Sequence, residues 1–221
     1  MELDDRMPLG TLYIERFMRP LLAGRQLESF LTGALKDEYK IRWIAENSYT
    51  HVNSFDKIVL ASASSGRKLV WHQWKLVGSE DEIEIHNHRW DFVSYVIRGT
   101  VEDRDYVPCN AGKMRTLHYR YRSPEGARSY KLQYLGEAAL SETRRYTHRA
   151  GDFYVQHRDT VHIALALAVD TDTLIVQDAA TKPGSDIYAL RQPSATTREL
   201  TKFTPGEVHA RIRILLEILA Q

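Results

Sequence analysis

Cysteine is nearly absent from this chain: Cys109 is the single one among 221 residues. Without a second thiol no intramolecular disulfide can form. Cys109 follows Pro108 in a turn-like Pro-Cys-Asn-Ala-Gly stretch and belongs to no metal-binding cysteine pair. An excess of either charge is also missing, with 30 basic against 29 acidic residues, which argues against a dedicated nucleic-acid surface. No apolar run approaches the roughly 18 residues of a membrane span. The acidic start Met1-Glu2-Leu3-Asp4-Asp5 lacks the basic-then-apolar order of a secretory signal. The expectation is a soluble, cytoplasmic protein with neither nucleic-acid nor membrane partners. Internal repeats and low-complexity segments are absent too. A 43% hydrophobic content then suits one structural domain with a full core and extensions.

What is present divides into helical ends and a strand-rich middle. Over residues 20–38, Leu21, Leu22, Leu27, Phe30, Leu31 and Leu35 follow a helical spacing. Pro20 fits there in the first turn, where its missing N–H is not needed. From about Phe55 short β-rich runs take over: 57–60, 69–74, the histidine segment below, 92–98, 114–122, 130–135, 153–156, 161–169 and 174–177. Turn signals separate them, among them Ser64-Ser65-Gly66, Gly78-Ser79, Gly99, Asn110-Ala111-Gly112, Ser123-Pro124-Glu125-Gly126 and Asp170-Thr171-Asp172. Many short strands with frequent turns predict an all-β barrel or sandwich. At the other end, Thr204-Pro205-Gly206-Glu207 has capping-box spacing with proline at the first helical position. Val208, Ile212, Leu215, Leu216 and Leu219 then form a stripe for packing on the barrel. The expected layout is a helical extension over residues 1–54, the barrel over 55–185, and a linker with a helix over 186–221.

Three histidines in two distant segments carry the chemistry: His86-Asn87-His88, and His162 in the run that starts at Gly151. On an extended strand alternate residues share a face, so His86 and His88 can turn both imidazoles to one metal ion. A third imidazole from a neighbouring strand completes a facial set. Neutral nitrogen donors suit iron(II), copper, nickel or zinc better than magnesium or calcium, and three protein ligands leave coordination positions open.

The spacing resembles the two motifs of the cupin superfamily. In the first, His-x-His is followed by an acidic residue and then glycine; here Phe92 stands at the acidic position and Gly99 at the glycine. In the second, Gly151 and His162 match, with His157 and Asp159 where proline and glycine are usual. The resemblance therefore implies a jelly-roll β-barrel whose fourth, acidic ligand is missing. Such a three-histidine site looks like that of the thiol dioxygenases, of which cysteine dioxygenase is one. His86-Asn87-His88-Arg89-Trp90-Asp91-Phe92 and Tyr49-Thr50-His51-Val52-Asn53-Ser54-Phe55 look closest to a group of mostly uncharacterised cysteine-dioxygenase-like cupins. Val93 stands near the place of a cysteine that some cysteine dioxygenases crosslink to tyrosine.

Other roles are read from the strands around the histidines. Alternation puts His162, Ala164, Ala166 and Ala168 on one face, leaving room beside the metal, and Val161, Ile163, Leu165, Leu167 and Val169 on the other. The second, apolar face needs cover from the terminal helices or a second subunit, and a homodimer is expected. Asp91 is a candidate to support a ligand imidazole, to reach the metal itself, or simply to pair with Arg89. Glu84 shares the face of His86 or lies at the barrel mouth. Arg104 with Tyr106, and His118 with Arg120 and Arg122, share strand faces; Arg104, Tyr106 and Arg120 are candidates to hold a substrate carboxylate. Tyr95 and His118 are candidate bases, and Trp71, Trp74 and Trp90 are expected in the core. The expected activity is iron(II)-dependent oxygenation of a small molecule by dioxygen, with nickel, copper, zinc or manganese as other metals. A 2-oxoglutarate requirement is not expected, because His88 replaces the carboxylate of the usual triad. A metal-assisted isomerase, epimerase or lyase, and a non-catalytic small-molecule-binding cupin, are the competing readings.

Overall fold

Fourteen strands form among the residues that this computed structural model describes, which are 3, 7–75, 84–122 and 129–221. In chain order they are β1 (Tyr49–His51), β2 (Phe55–Ser62), β3 (Lys68–Trp74), β4 (Ile85–His86), β5 (Phe92–Arg98), β6 (Thr100–Pro108) and β7 (Met114–Arg122). There follow β8 (Ser129–Arg149), β9 (Phe153–Gln156), β10 (Val161–Ala166), β11 (Asp172–Gln177), β12 (Gly184–Ala189), β13 (Thr197–Glu199) and β14 (Thr201–Lys202). The turns expected at Gly78-Ser79 and Ser123-Pro124-Glu125-Gly126 lie outside the described residues, as does the acidic start except for Leu3. Strands thus extend beyond the expected barrel limits of 55 and 185 at both ends.

Two antiparallel sheets result, ordered β14-β1-β2-β3-β11-β5-β9 and β13-β8-β6-β10-β4-β12-β7. Period-two alternation gives the first sheet two apolar faces. Ile58, Leu60, Leu69, Trp71, Val93, Leu174 and Val176 point outward into one cluster with the helices. Phe55, Trp74, Val59, Val70, Phe92 and Ile175 point inward, where Phe55 and Trp74 meet Val101, Ala164 and Ala166 of the second sheet. The fold is accordingly an antiparallel β-sandwich with flanking helices, in keeping with the all-β expectation. At the β5–β6 turn Gly99 has φ +78, and a Cβ there would lie 2.3 Å from Thr171 Oγ1, so the glycine spaced from the histidine motif is required sterically.

The terminal helices cover the outer face of the first sheet. They comprise α1 (Thr11–Tyr13), a π-turn (Ile14–Met18), α2 (Arg19–Ala23), α3 (Gln26–Leu35), α4 (Glu38–Asn47) and α5 (Pro205–Leu219). The single helix expected from Pro20 is instead broken, because Arg25 takes a left-handed conformation before α3. Pro20 stands in the first turn of α2, as expected, although helical turns precede that helix. The π-turn ahead of it, in which Arg19 N–H reaches Ile14 O, already departs from the i−4 ladder that proline interrupts. The C-terminal expectation holds: Thr204 and Glu207 make a capping box, and Val208, Ile212 and Leu215 are buried.

Cover for the other sheet comes from the chain itself. β8 pairs along its first half with β7 and along its second half with β6, so the pairing closes a ring β6-β10-β4-β12-β7-β8. Pro108 of β6 and Met114 of β7 both align with Leu140. Leu140 joins Ile85, Tyr106, Val161, Ile163, Leu165 and Tyr188 in a buried cluster on the face turned away from His162. The stripe on β10 is therefore satisfied within one chain as far as Leu165; Leu167 and Val169, beyond the strand, are exposed.

Candidate metal centre

His86 and His162 are aligned partners on adjacent strands β4 and β10. His88 lies just past the end of β4, and its backbone N–H donates to Arg158 O at 3.1 Å. So only one residue of the His-x-His pair is on a strand, yet all three rings converge. Their centroids are 4.7 Å (His86–His88), 5.2 Å (His86–His162) and 5.0 Å (His88–His162) apart. One nitrogen from each lies within 4.8 Å of the others, and the Nε2 atoms of His88 and His162 are 2.8 Å apart.

The far sides of two of the rings are held. His162 Nδ1 donates to Asp103 Oδ1 at 2.7 Å, and His86 Nδ1 donates to Glu84 O at 2.9 Å. Those hydrogen bonds set the tautomers and turn each Nε2 into the cavity, the arrangement in which imidazole ligates a metal. Asn53 adds to the His86 side by donating to Glu84 O. Burial and the neighbouring His162 push the His86 ring down to about 4, and burial with both other rings holds His88 well below its ordinary value. Both are neutral at pH 7, as ligation requires. Three convergent imidazoles, two of them braced, fit a first-row transition ion. Among the described residues no carboxylate joins the group. Phe92 fills the acidic position, its ring edge-on to His88 with centroids 5.0 Å apart.

The histidines open into a cavity of about 120 Å³ between the sheets, below the range of drug-sized pockets and suited to a small molecule. Aromatic rings line much of it, including Tyr49, Phe55, Trp74, Trp90, Phe92, Tyr121 and Tyr154. Trp71 is in the helix-facing core and Trp74 in the inner core cluster, as expected, and Trp74 and Trp90 also line the cavity. Its polar wall contains Lys57, His72, Arg89 and Gln177. Burial and the like charges of Lys68 and Arg89 bring Lys57 down to about 7.

The remaining candidates lie elsewhere. Pairing of His162 with Asp105 puts the odd-numbered residues of β6 on the histidine face, so Arg104 and Tyr106 share the opposite one. Arg104 is paired with Glu102 at 2.5 Å, and Tyr106 is buried in the cluster around Leu140. Arg120 and His118 both reach Asp186 Oδ1 at 2.9 Å and line no part of the cavity. Tyr95 packs on Phe153 beneath the helices, on the outer face of the first sheet. None of these five contacts the histidine cluster. Asp91 is bound to Arg158, not Arg89, through the Arg158 backbone N–H at 2.7 Å and its guanidinium. Burial raises its carboxyl, but those hydrogen bonds prevail and hold it below the usual range. It thereby ties the loop after His88 to the segment leading into His162. Glu84 does line the cavity.

Lys57, His72, Arg89, Gln177 and Asp103 have no local sequence signal. Lys57 and His72 are cross-strand partners, and Gln177 is 120 residues from Lys57. Asn53 could have been noticed, since it belongs to the upstream segment that carries the family resemblance.

No family model matches the chain, and no curated protein matches it. Similar solved structures include HEPD of Streptomyces albus with its substrate 2-hydroxyethylphosphonate and Fe(II) bound. That alignment has 9% identity and a TM-score of 0.35, and covers 58% of this chain but only 22% of HEPD. Another is Pac13, a nucleoside dehydratase, at 12% identity and a TM-score of 0.23, covering 74% of this chain and 92% of Pac13. Likeness at this level carries no functional conclusion. From its own geometry, the chain is an antiparallel β-sandwich with flanking helices and a three-histidine group able to hold a metal ion.

Proposed function

We propose that this chain is a non-haem iron(II)-dependent oxygenase, similar in kind to the thiol dioxygenases, acting on a small polar or carboxylate-bearing molecule. One observation carries the reading: three convergent imidazoles with Phe92 where a fourth, acidic ligand would stand. His86, His88 and His162 would hold the metal. Iron(II) held by these three imidazoles would supply oxidation chemistry, with coordination positions left open by the protein. The protein's own contribution is to fix the imidazoles through Asp103 and the Glu84 carbonyl, and to surround the site with Phe92, Tyr154 and Ile175 so that bulk water is excluded. Among the described residues no carboxylate joins the histidines, and His88 stands where the usual two-histidine, one-carboxylate triad has its acid, so a 2-oxoglutarate requirement is not part of the proposal.

The test is metal analysis of protein purified without oxygen, followed by oxygen-uptake assays with iron(II) and a panel of small acids and thiols. Stoichiometric iron and substrate-dependent oxygen consumption are expected. Substrate turnover with no oxygen consumed would move the assignment to a metal-assisted isomerase, epimerase or lyase. Ligand binding by metal-free protein without turnover would leave a binding module.

A further inference from the structure

Two cations face the cavity, and among the described residues neither is ion-paired with a carboxylate, although Glu84 also lines the cavity. Lys57 is 8% exposed, and its ammonium donates to Gln177 Oε1 at 3.0 Å. It also lies 5.1 Å from the centre of the Trp90 ring and 6.0 Å from that of Tyr49. Three N–H donors are available on such a group, and the charged groups that press on it, Lys68 and Arg89, are both positive. Arg89 sits over Trp90 at 5.2 Å and Tyr121 at 5.9 Å. Its Nε is buried with no hydrogen-bond partner, although a guanidinium stays charged at any physiological pH. The other arginines near the site differ: Arg104, Arg120 and Arg158 are paired with Glu102, Asp186 and Asp91. Beside Lys57, His72 lines the same cavity with both ring nitrogens buried and unpartnered. Buried cations and orphaned polar atoms are each unfavourable unless a ligand satisfies them.

We infer that Lys57 and Arg89, with Gln177 and His72 beside them, form an anion-holding subsite, and that the molecule brought to the three histidines is a small acid with a carboxylate or phosphoryl group seated there. The inference rests on the reading of a three-histidine metal enzyme and names its substrate class. Gln177 fixes the Lys57 side chain by accepting one of its protons, which leaves the other two for the ligand. Trp90, in contact with both cations, is the wall that spaces them. The counter-charge with which neither cation pairs among the described residues is then supplied by the substrate.

Calorimetric titration of metal-free and zinc-loaded protein tests this, using malonate, inorganic phosphate and the neutral isostere malonamide as probes. Malonate or phosphate should bind at millimolar concentration or tighter and malonamide should not; which anion binds separates a carboxylate from a phosphoryl group. Lys57→Met and Arg89→Met should each weaken anion binding about 10- to 100-fold, as expected for loss of a hydrogen bond to a charged group, while the zinc content stays stoichiometric. Arg89→Met keeps the test intact if Lys57→Met does not fold. Failure of both anions to bind, equal binding of malonamide, or anion affinity unchanged in a folded variant overturns the inference. A wild-type protein that holds no metal but still binds an anion through Lys57 and Arg89 would instead sink the metal-enzyme reading and leave the subsite standing.

Discussion

A histidine side chain has different value at different places in this cavity. For His86, His88 and His162, convergence is the property that matters, and each should be needed. Replacing any one with Ala should bring metal content to near zero in protein purified without oxygen, with the circular dichroism of the sandwich unchanged; full occupancy in a variant would remove that residue from the site. His72 makes a different prediction. Burial, then the charge of Lys57, holds it well below its ordinary value in the fold, whereas in the unfolded chain it titrates near 6.5. The unfolded state therefore takes up the proton first. The stability associated with neutral His72 is fully present above about pH 6.5 and declines as the pH falls towards the depressed folded value. His72→Phe should flatten the thermal midpoint of metal-free protein against pH over that acid limb, and an unchanged slope would show that His72 is not the group responsible. Legibility at this scale follows from spacing. The His-x-His pair and the glycine-to-histidine run are local patterns, whereas Lys57 in Asp-Lys-Ile-Val-Leu looks like any solvent-facing residue of a strand. Only the register with His72 and Gln177 puts it inside.

Between elements, the site depends on connections that are not themselves ligands. Asp91 joins the loop after His88 to the segment before His162, and Arg158 O accepts from His88 N–H in the same clasp. Asp91→Asn should keep the metal, because three imidazoles remain. Loss of the charged pair should lower stability by about 1 to 2 kcal/mol and reduce turnover, since the two histidine segments are no longer held together. Complete metal loss would show that the carboxylate reaches the ion. In β8 the key position is Leu140, fully buried where the strand changes partner from β7 to β6. Leu140→Ala should cost about 2 to 5 kcal/mol in urea unfolding, and Leu135→Ala on the exposed part of the same strand about 0.5 kcal/mol or less. Equal effects would mean that the ring does not depend on that junction. Most strands are legible from alternation, and β5, β7 and β9 start and end where their patterns do. The full 21 residues of β8 are not, because its exposed polar second half has no apolar rhythm. Face assignment fails for a related reason: alternation groups Arg104 with Tyr106 but does not say which face meets His162, and the register with β10 decides against them.

At the scale of the molecule, the apolar stripe that suggested a second subunit is covered as far as Leu165 by the closed ring and its buried Leu140 cluster, with Leu167 and Val169 left exposed. A homodimer, which the family resemblance implies, would have to form chiefly through another surface, and light scattering at micromolar concentration is the direct measurement of whether one forms. No helix among the described residues is long and apolar enough to cross a membrane. The general architecture was legible because strand-rich middle and helical ends differ so clearly in periodicity; ring closure was not, since it depends on one strand pairing with two others far apart along it. That closure separates two tasks. His86 and His162 belong to the ring, whereas Lys57, His72, Phe92 and Gln177 belong to the facing sheet, which the helices support from behind. A lineage could exchange residues on the facing sheet, and so change what the cavity admits, without disturbing the strands that present the imidazoles. Descendants of such a chain would be expected to diverge in substrate sooner than in metal.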